Sequence, residues 1–91
     1  MTMAIDAAKV GSDLRVAYNS KDSARVHEII RRADAAIEAA GVSASVKAGY
    51  WMSVRREFNT GQRLVEKQEN SALMALMRQI EAALADRASE G

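Results

Sequence analysis

The sequence predicts an all-α domain, a small bundle of three or four helices with a long C-terminal helix. Three observations carry this. Helix formers dominate the chain, and 48% of its residues are hydrophobic, many of them alanine. Apolar residues recur at 3-4 spacing, with no period-two alternation to suggest a strand. There is no proline to interrupt a helix and no cysteine to staple a loop. Ninety-one residues fit one domain spanning 1–91. A core built largely from alanine is thin, so self-association is an expectation for a chain of this size.

The first helix is expected at about 3–18. Met3, Ala7, Val10, Leu14 and Ala17 form one stripe, while Ile5 and Val16 fall on the opposite side. A helix with two apolar faces needs two partners. Gly11 weakens its middle by about 1 kcal/mol relative to alanine, so Ser12 is an alternative start. Asn19-Ser20-Lys21-Asp22-Ser23 is a turn whose short polar side chains can cap the next helix.

The second helix is expected at 23–40. Val26, Ile29, Ile30, Ala33, Ala36, Ile37 and Ala40 share one arc, and Gly41 ends it. Its solvent arc carries Arg25, His27, Glu28, Arg31, Arg32, Asp34 and Glu38. Glu28 and Arg32 stand in the favourable i,i+4 order, and Arg31 is flanked by Glu28 and Asp34. That face largely neutralises itself.

The third helix, about 44–59, has Ser43 or Ser45 as its cap. Val46, Tyr50, Val54 and Phe58 step by four as its buried stripe. Trp51 lies at the stripe's edge beside Arg55, and Ala48, Met52, Arg55, Arg56 and Asn59 face outward. The last segment has no breaker, and Leu73, Leu76, Met77, Ile80, Ala83 and Leu84 align along it. One helix over 62–88 is expected, about 40 Å long. A restart at Glu69-Asn70-Ser71 is the alternative.

Function is written most clearly in residues 42–63. They hold three of the four aromatic residues, Tyr50, Trp51 and Phe58, and a local charge of +3 in a chain whose net charge is only +1. That overall charge is too mild to imply nucleic acid by itself. No constellation of catalytic serine, cysteine or paired carboxylates can be assembled, so the chain is not expected to be an enzyme. His27 is the one histidine and reads as an exposed helix residue rather than a metal ligand. The isolated glycines form no phosphate loop, and no cofactor is implied. Nor does any apolar run reach a membrane span or a signal peptide, which favours a cytoplasmic protein without a membrane partner.

One local pattern has a family parallel. Ala39-Ala40-Gly41-Val42-Ser43 resembles the turn of a helix-turn-helix, in which a glycine ends one helix and Gly-Val-Ser leads into the recognition helix. The resemblance covers about twenty residues. It implies a DNA-binding regulator with Ser43, Ala44, Ser45, Ala48 and Gly49 facing the groove. The chain departs from the pattern at Ile37, where a small residue is usual, and at Lys47, where a buried aliphatic is usual.

The third helix admits three readings. Its aromatics are core and its arginines a solvated face; or Trp51, Met52, Arg55 and Arg56 form a protein-binding anchor, since these are types enriched at interface centres; or Lys47, Arg55, Arg56, Arg63 and Lys67 contact phosphates. The leading expectation is a non-enzymatic protein–protein interaction module: a small regulator, adaptor or inhibitor. It would act on a protein partner and form a homodimer through the 62–88 helix or the first helix. The alternative is the small DNA-binding regulator.

Overall fold

In the computed structural model, residues 6–60 and 71–89 are described, and all their regular structure is helical. Four helices succeed one another: α1 (Ala7–Asn19), α2 (Ser23–Ala40), α3 (Ala44–Asn59) and α4 (Ser71–Ala88). The chain is thus an all-α helical bundle. The expected helices at 23–40 and 44–59 have these bounds. Met3 of the first stripe, Ile5 of the opposite side and the 62–70 part of the expected 62–88 helix lie outside the described residues.

The turns arise from short polar side chains and two left-handed residues. At the end of α1 the Asp22 N–H donates to the Ala17 carbonyl at 2.9 Å and the Lys21 N–H to the Tyr18 carbonyl at 2.9 Å. These two bonds make a Schellman turn, whose pivot needs positive φ. That pivot is Lys21, at φ 59°, a side-chain-bearing residue where glycine is usual. Asp22 then caps α2, its carboxylate accepting from the Arg25 N–H at 3.0 Å. Gly41 ends α2 at φ 63°, and the Ser43 hydroxyl opens α3 by accepting from the Val46 N–H at 3.2 Å. Ser43 rather than Ser45 is therefore the cap.

Residue pairs fix the helix directions. Along α1 and α3 they run in the same order: Gly11 abuts Val54 and Glu57, and Tyr18 meets Phe58 edge-on with ring centroids 6.0 Å apart. Along α3 and α4 the order reverses, Arg55 pairing with Glu81 and Trp51 with Arg87. α2 and α4 run parallel, with Ser23 near Ala72 and Asp34 bound to Arg87. The four helices alternate up and down, and the parallel pair α1 and α3 pack tightly together.

Gly11 permits that closeness. A Cβ there would stand 2.6 Å from the Glu57 Cβ and 2.7 Å from the Val54 carbonyl oxygen. Thus α1 runs through Gly11 instead of starting at Ser12. Its propensity cost of about 1 kcal/mol is offset by the packing it allows. Beside it, the Arg15 guanidinium donates to the Glu57 carbonyl and lies 3.7 Å from the Glu57 carboxylate.

The core draws on every helix: Val10, Leu14 and Tyr18; Val26, Ile30 and Ile37; Trp51, Val54 and Phe58; Ile80 and Leu84. No polar or charged residue is buried among the described residues. Each large side chain here contributes about 1.5–3 kcal/mol by burial. Two sequence expectations are corrected. Val46 is 49% exposed and does not extend the Tyr50–Val54–Phe58 stripe, because steps of four drift about 40° each around the helix and carry Val46 off the inner arc. Trp51, expected at the stripe's edge, is fully buried.

Candidate interaction surface on the third helix

The structure separates the four residues expected to form a protein-binding anchor. Trp51 is 0% exposed and faces inward. Tyr50 meets its ring edge-on at 5.6 Å, and the Arg87 guanidinium covers it at 5.4 Å from the ring centroid. Arg87 is held in turn by both oxygens of Asp34, through Nε at 3.0 Å and Nη2 at 2.7 Å, and donates to the Ala83 carbonyl at 3.0 Å. This bond to Asp34 pushes the Arg87 pKa up. The result is a clamp in which α2 holds Arg87 of α4 over Trp51 of α3. The indole Nε1 is buried and finds no hydrogen-bond acceptor among the described residues. As a core residue, Trp51 offers no surface to a partner.

The other three remain outside. Met52 is 52% exposed. Arg55 reaches back to α4, with Nε 3.6 Å from the Glu81 carboxylate. Arg56, in the last turn, is exposed and carries no ion pair among the described residues. Its carbonyl accepts from the Thr60 N–H at 3.1 Å and the Thr60 hydroxyl at 2.8 Å. Of the expected phosphate-contacting set, Lys47 is half-buried near the start of α3, and Arg63 and Lys67 lie outside the described residues. The set therefore does not converge on one surface among the described residues.

A different grouping emerges on the outward face of α3. Val46, Gly49 and Met52 stand three residues apart, forming one oblique row on the helix surface. Two half-exposed apolar side chains thus flank a residue with no side chain. A Cβ built at Gly49 meets nothing within 4 Å. Ser45 and Ser53 border the row, and Arg56 lies one turn below Met52. Glu57, about three turns after Val46 on the same edge of the helix, is drawn aside toward Arg15 of α1.

The charges on α2 differ from expectation in one respect. Glu28 binds Arg31, at 2.8 and 3.2 Å, and this bond chiefly lowers its pKa. Asp34, expected beside Arg31, serves Arg87 instead. Sequence reasoning missed this clamp, although a signal was present. Asp34 stands four after Ile30 and three before Ile37, and Arg87 three after Leu84. A charge in register with an apolar stripe is pointed toward the neighbouring helix. His27 is exposed, its Nδ1 2.9 Å from the Ser23 carbonyl. Among the described residues no three acid or histidine side chains are grouped to hold a metal ion, and no helix is long and apolar enough to cross a membrane.

The class these features define is a helical bundle of four helices with one apolar-and-basic outward row. Compared with family models, curated proteins and solved structures, the chain matches none.

Proposed function

We propose that the chain is a non-enzymatic protein–protein interaction module, a small regulator, adaptor or inhibitor that occupies a partner's surface with the outward face of α3. One observation carries the reading: Val46 and Met52, both about half-exposed, flank an open Gly49 in a single row. Glycine in a helix interior costs about 1 kcal/mol relative to alanine. At Gly11 that cost is met by close packing within the bundle. At Gly49 nothing among the described residues uses the space, and a partner helix seated there would approach as closely as α1 does on the inner side. Arg56 and the outer part of Arg55 border the row and favour an acidic rim on the partner.

The test uses the chain as bait in an extract of its source, beside a Met52→Glu variant. A protein retained by the first and lost with the second is expected. Retention of the same proteins by both baits, or of none by either, overturns the reading. Light scattering on the purified chain tests homodimerisation by the same face: a dimer that Met52→Glu dissociates is expected, and an unaffected dimer places self-association elsewhere.

The second reading is the DNA-binding regulator. It is favoured by one observation, an exposed Arg56 without an ion pair among the described residues, on the helix that comes after the Gly41-Val42-Ser43 corner. Retention on random duplex DNA at about 50 mM salt, lost with Arg55→Ala/Arg56→Ala, supports it. No retention under those conditions rules it out.

A further inference from the structure

A second surface lies on the side of α1 turned away from Gly11 and α3. Lys9, Asp13 and Val16 lie on the face of α1 opposite Gly11 and Arg15. Between them and α2 runs a half-open groove of about 210 Å³, lined by Lys9, Val10, Asp13, Arg25, Ile29 and Arg32. It continues past Asp13 and Arg25 into a second hollow of about 240 Å³, where Val16, Ala17, Ser20 and Asp22 complete the walls. Val10, Ala17 and Ile29 belong to the buried core and supply an apolar floor. Val16 stands on the rim at 61% exposure, the most exposed of the large apolar side chains described.

The α2 wall is cationic, and its arginines are only loosely paired. Glu28, the acid of α2 beside them, is engaged chiefly by Arg31 at 2.8 and 3.2 Å. Arg32 lies 3.9 Å from the same carboxylate, at the limit of an ion pair, and its side chain is 64% exposed. Arg25 contributes its backbone N–H to Asp22, and its guanidinium has no ion pair among the described residues. The two guanidinium groups stand two turns apart on α2, about 10.5 Å along the axis. Lys9, across the groove, already pairs with Asp13 at 3.5 Å.

We infer that this groove docks an acidic amphipathic helix of a protein partner. Carboxylates two turns apart on that helix reach Arg25 and Arg32, an apolar residue between them lies over Val10 and Ile29, and one beyond the Arg25 end covers Val16. Charge complementarity on the α2 wall and the apolar floor together select this occupant. Nucleic acid fits less well, because the floor of Val10, Ala17 and Ile29 offers a phosphate backbone nothing, whereas it seats the apolar stripe of an amphipathic helix. The surface is separate from the α3 row, so a chain using both would hold two partners at once.

The probe is a synthetic helical peptide of about 18 residues, with glutamates two turns apart along one edge and leucines along the adjacent stripe. It is titrated into the isotope-labelled full chain at about 50 mM salt and monitored by backbone NMR shifts. Shifts confined to α1 and α2 around Lys9, Val16, Arg25 and Arg32 are expected. Arg25→Glu/Arg32→Glu should weaken binding at least about tenfold while circular dichroism stays unchanged. Met52→Glu, on the other surface, should leave it unaltered. Absence of binding, equal binding of a peptide with lysines in place of the glutamates, undiminished binding by the double variant, or displacement of the peptide by duplex DNA each overturns the inference. None of these outcomes bears on the α3 row, which its own variant tests.

Discussion

The two faces of α3 carry the same kinds of residue and put them to opposite use. On the inner face Trp51, Val54 and Phe58 are wholly buried, and Gly11 of α1 comes so near that a Cβ would collide with Glu57 and Val54. On the outer face Val46 and Met52 are about half-exposed, and Gly49 between them opens on space. Trp51 and Met52 are neighbours in sequence and differ by 52% in exposure. The difference teaches that a mid-helix glycine gains its meaning from what stands opposite it. One is occupied by the bundle, and the other has no occupant among the described residues.

The contrast is most easily broken at the adjacent pair. Trp51→Ala should cost about 3–5 kcal/mol, as for a large aromatic removed from a core. Met52→Ala should change stability by no more than about 0.5 kcal/mol. Urea denaturation of both variants checks this, and similar losses would erase the distinction between the faces.

The glycines come next. Gly11→Ala should destabilise the fold by about 1–3 kcal/mol, because α1 and α3 must separate to admit the methyl group and the helix-propensity gain only partly offsets this. Gly49→Ala should have the opposite sign and stabilise by about 1 kcal/mol, raising the melting temperature by about 4–8 °C. If both alanines stabilise, the close approach at Gly11 does not exist in solution. If Gly49→Ala also abolishes capture of a partner, the open notch is the binding feature.

The smallest effect concerns the inner face at high pH. Burial pushes the Tyr18 hydroxyl pKa above its ordinary value of 10.0. A folded-state pKa raised above the unfolded one means that the native state binds more protons once the pH passes about 10. The contribution of Tyr18 is therefore complete below about pH 10 and is lost as pH rises beyond it. Thermal melts of Tyr18→Phe should show a shallower alkaline decline than the parent chain. An identical decline would place the titrating group elsewhere.

Much of the fold was legible because it is local. Helices α2 and α3 could be read to the residue, since their periodic stripes end at Gly41 and begin at a serine cap. The pairing of Asp34 with Arg87 was not legible. It joins residues 53 apart in sequence, and only their register with apolar stripes hinted at it. The candidate site was half legible. Met52, Arg55 and Arg56 were placed outward correctly, whereas Trp51 was drawn to the surface by counting steps of four from Val46. Tyr50, Val54 and Phe58 share the inner arc with Trp51 and not with Val46, because each step of four drifts about 40° around the helix and Val46 lies two steps from Val54.

By itself the sequence determined the helical class, the two left-handed or capped turns around α2, and the concentration of aromatic and basic residues on one helix. These arise from propensity, spacing and capping, which act over a few residues. Tertiary structure alone decided that Trp51 belongs to the inner face of α3, that Gly11 is a crossing point and Gly49 an open notch, and that Arg87 covers Trp51. It also decided that Arg25 and Arg32 line one groove with Val16 at its rim. Each depends on which helices come to lie side by side, and hydrophobic burial settles that over the whole chain at once.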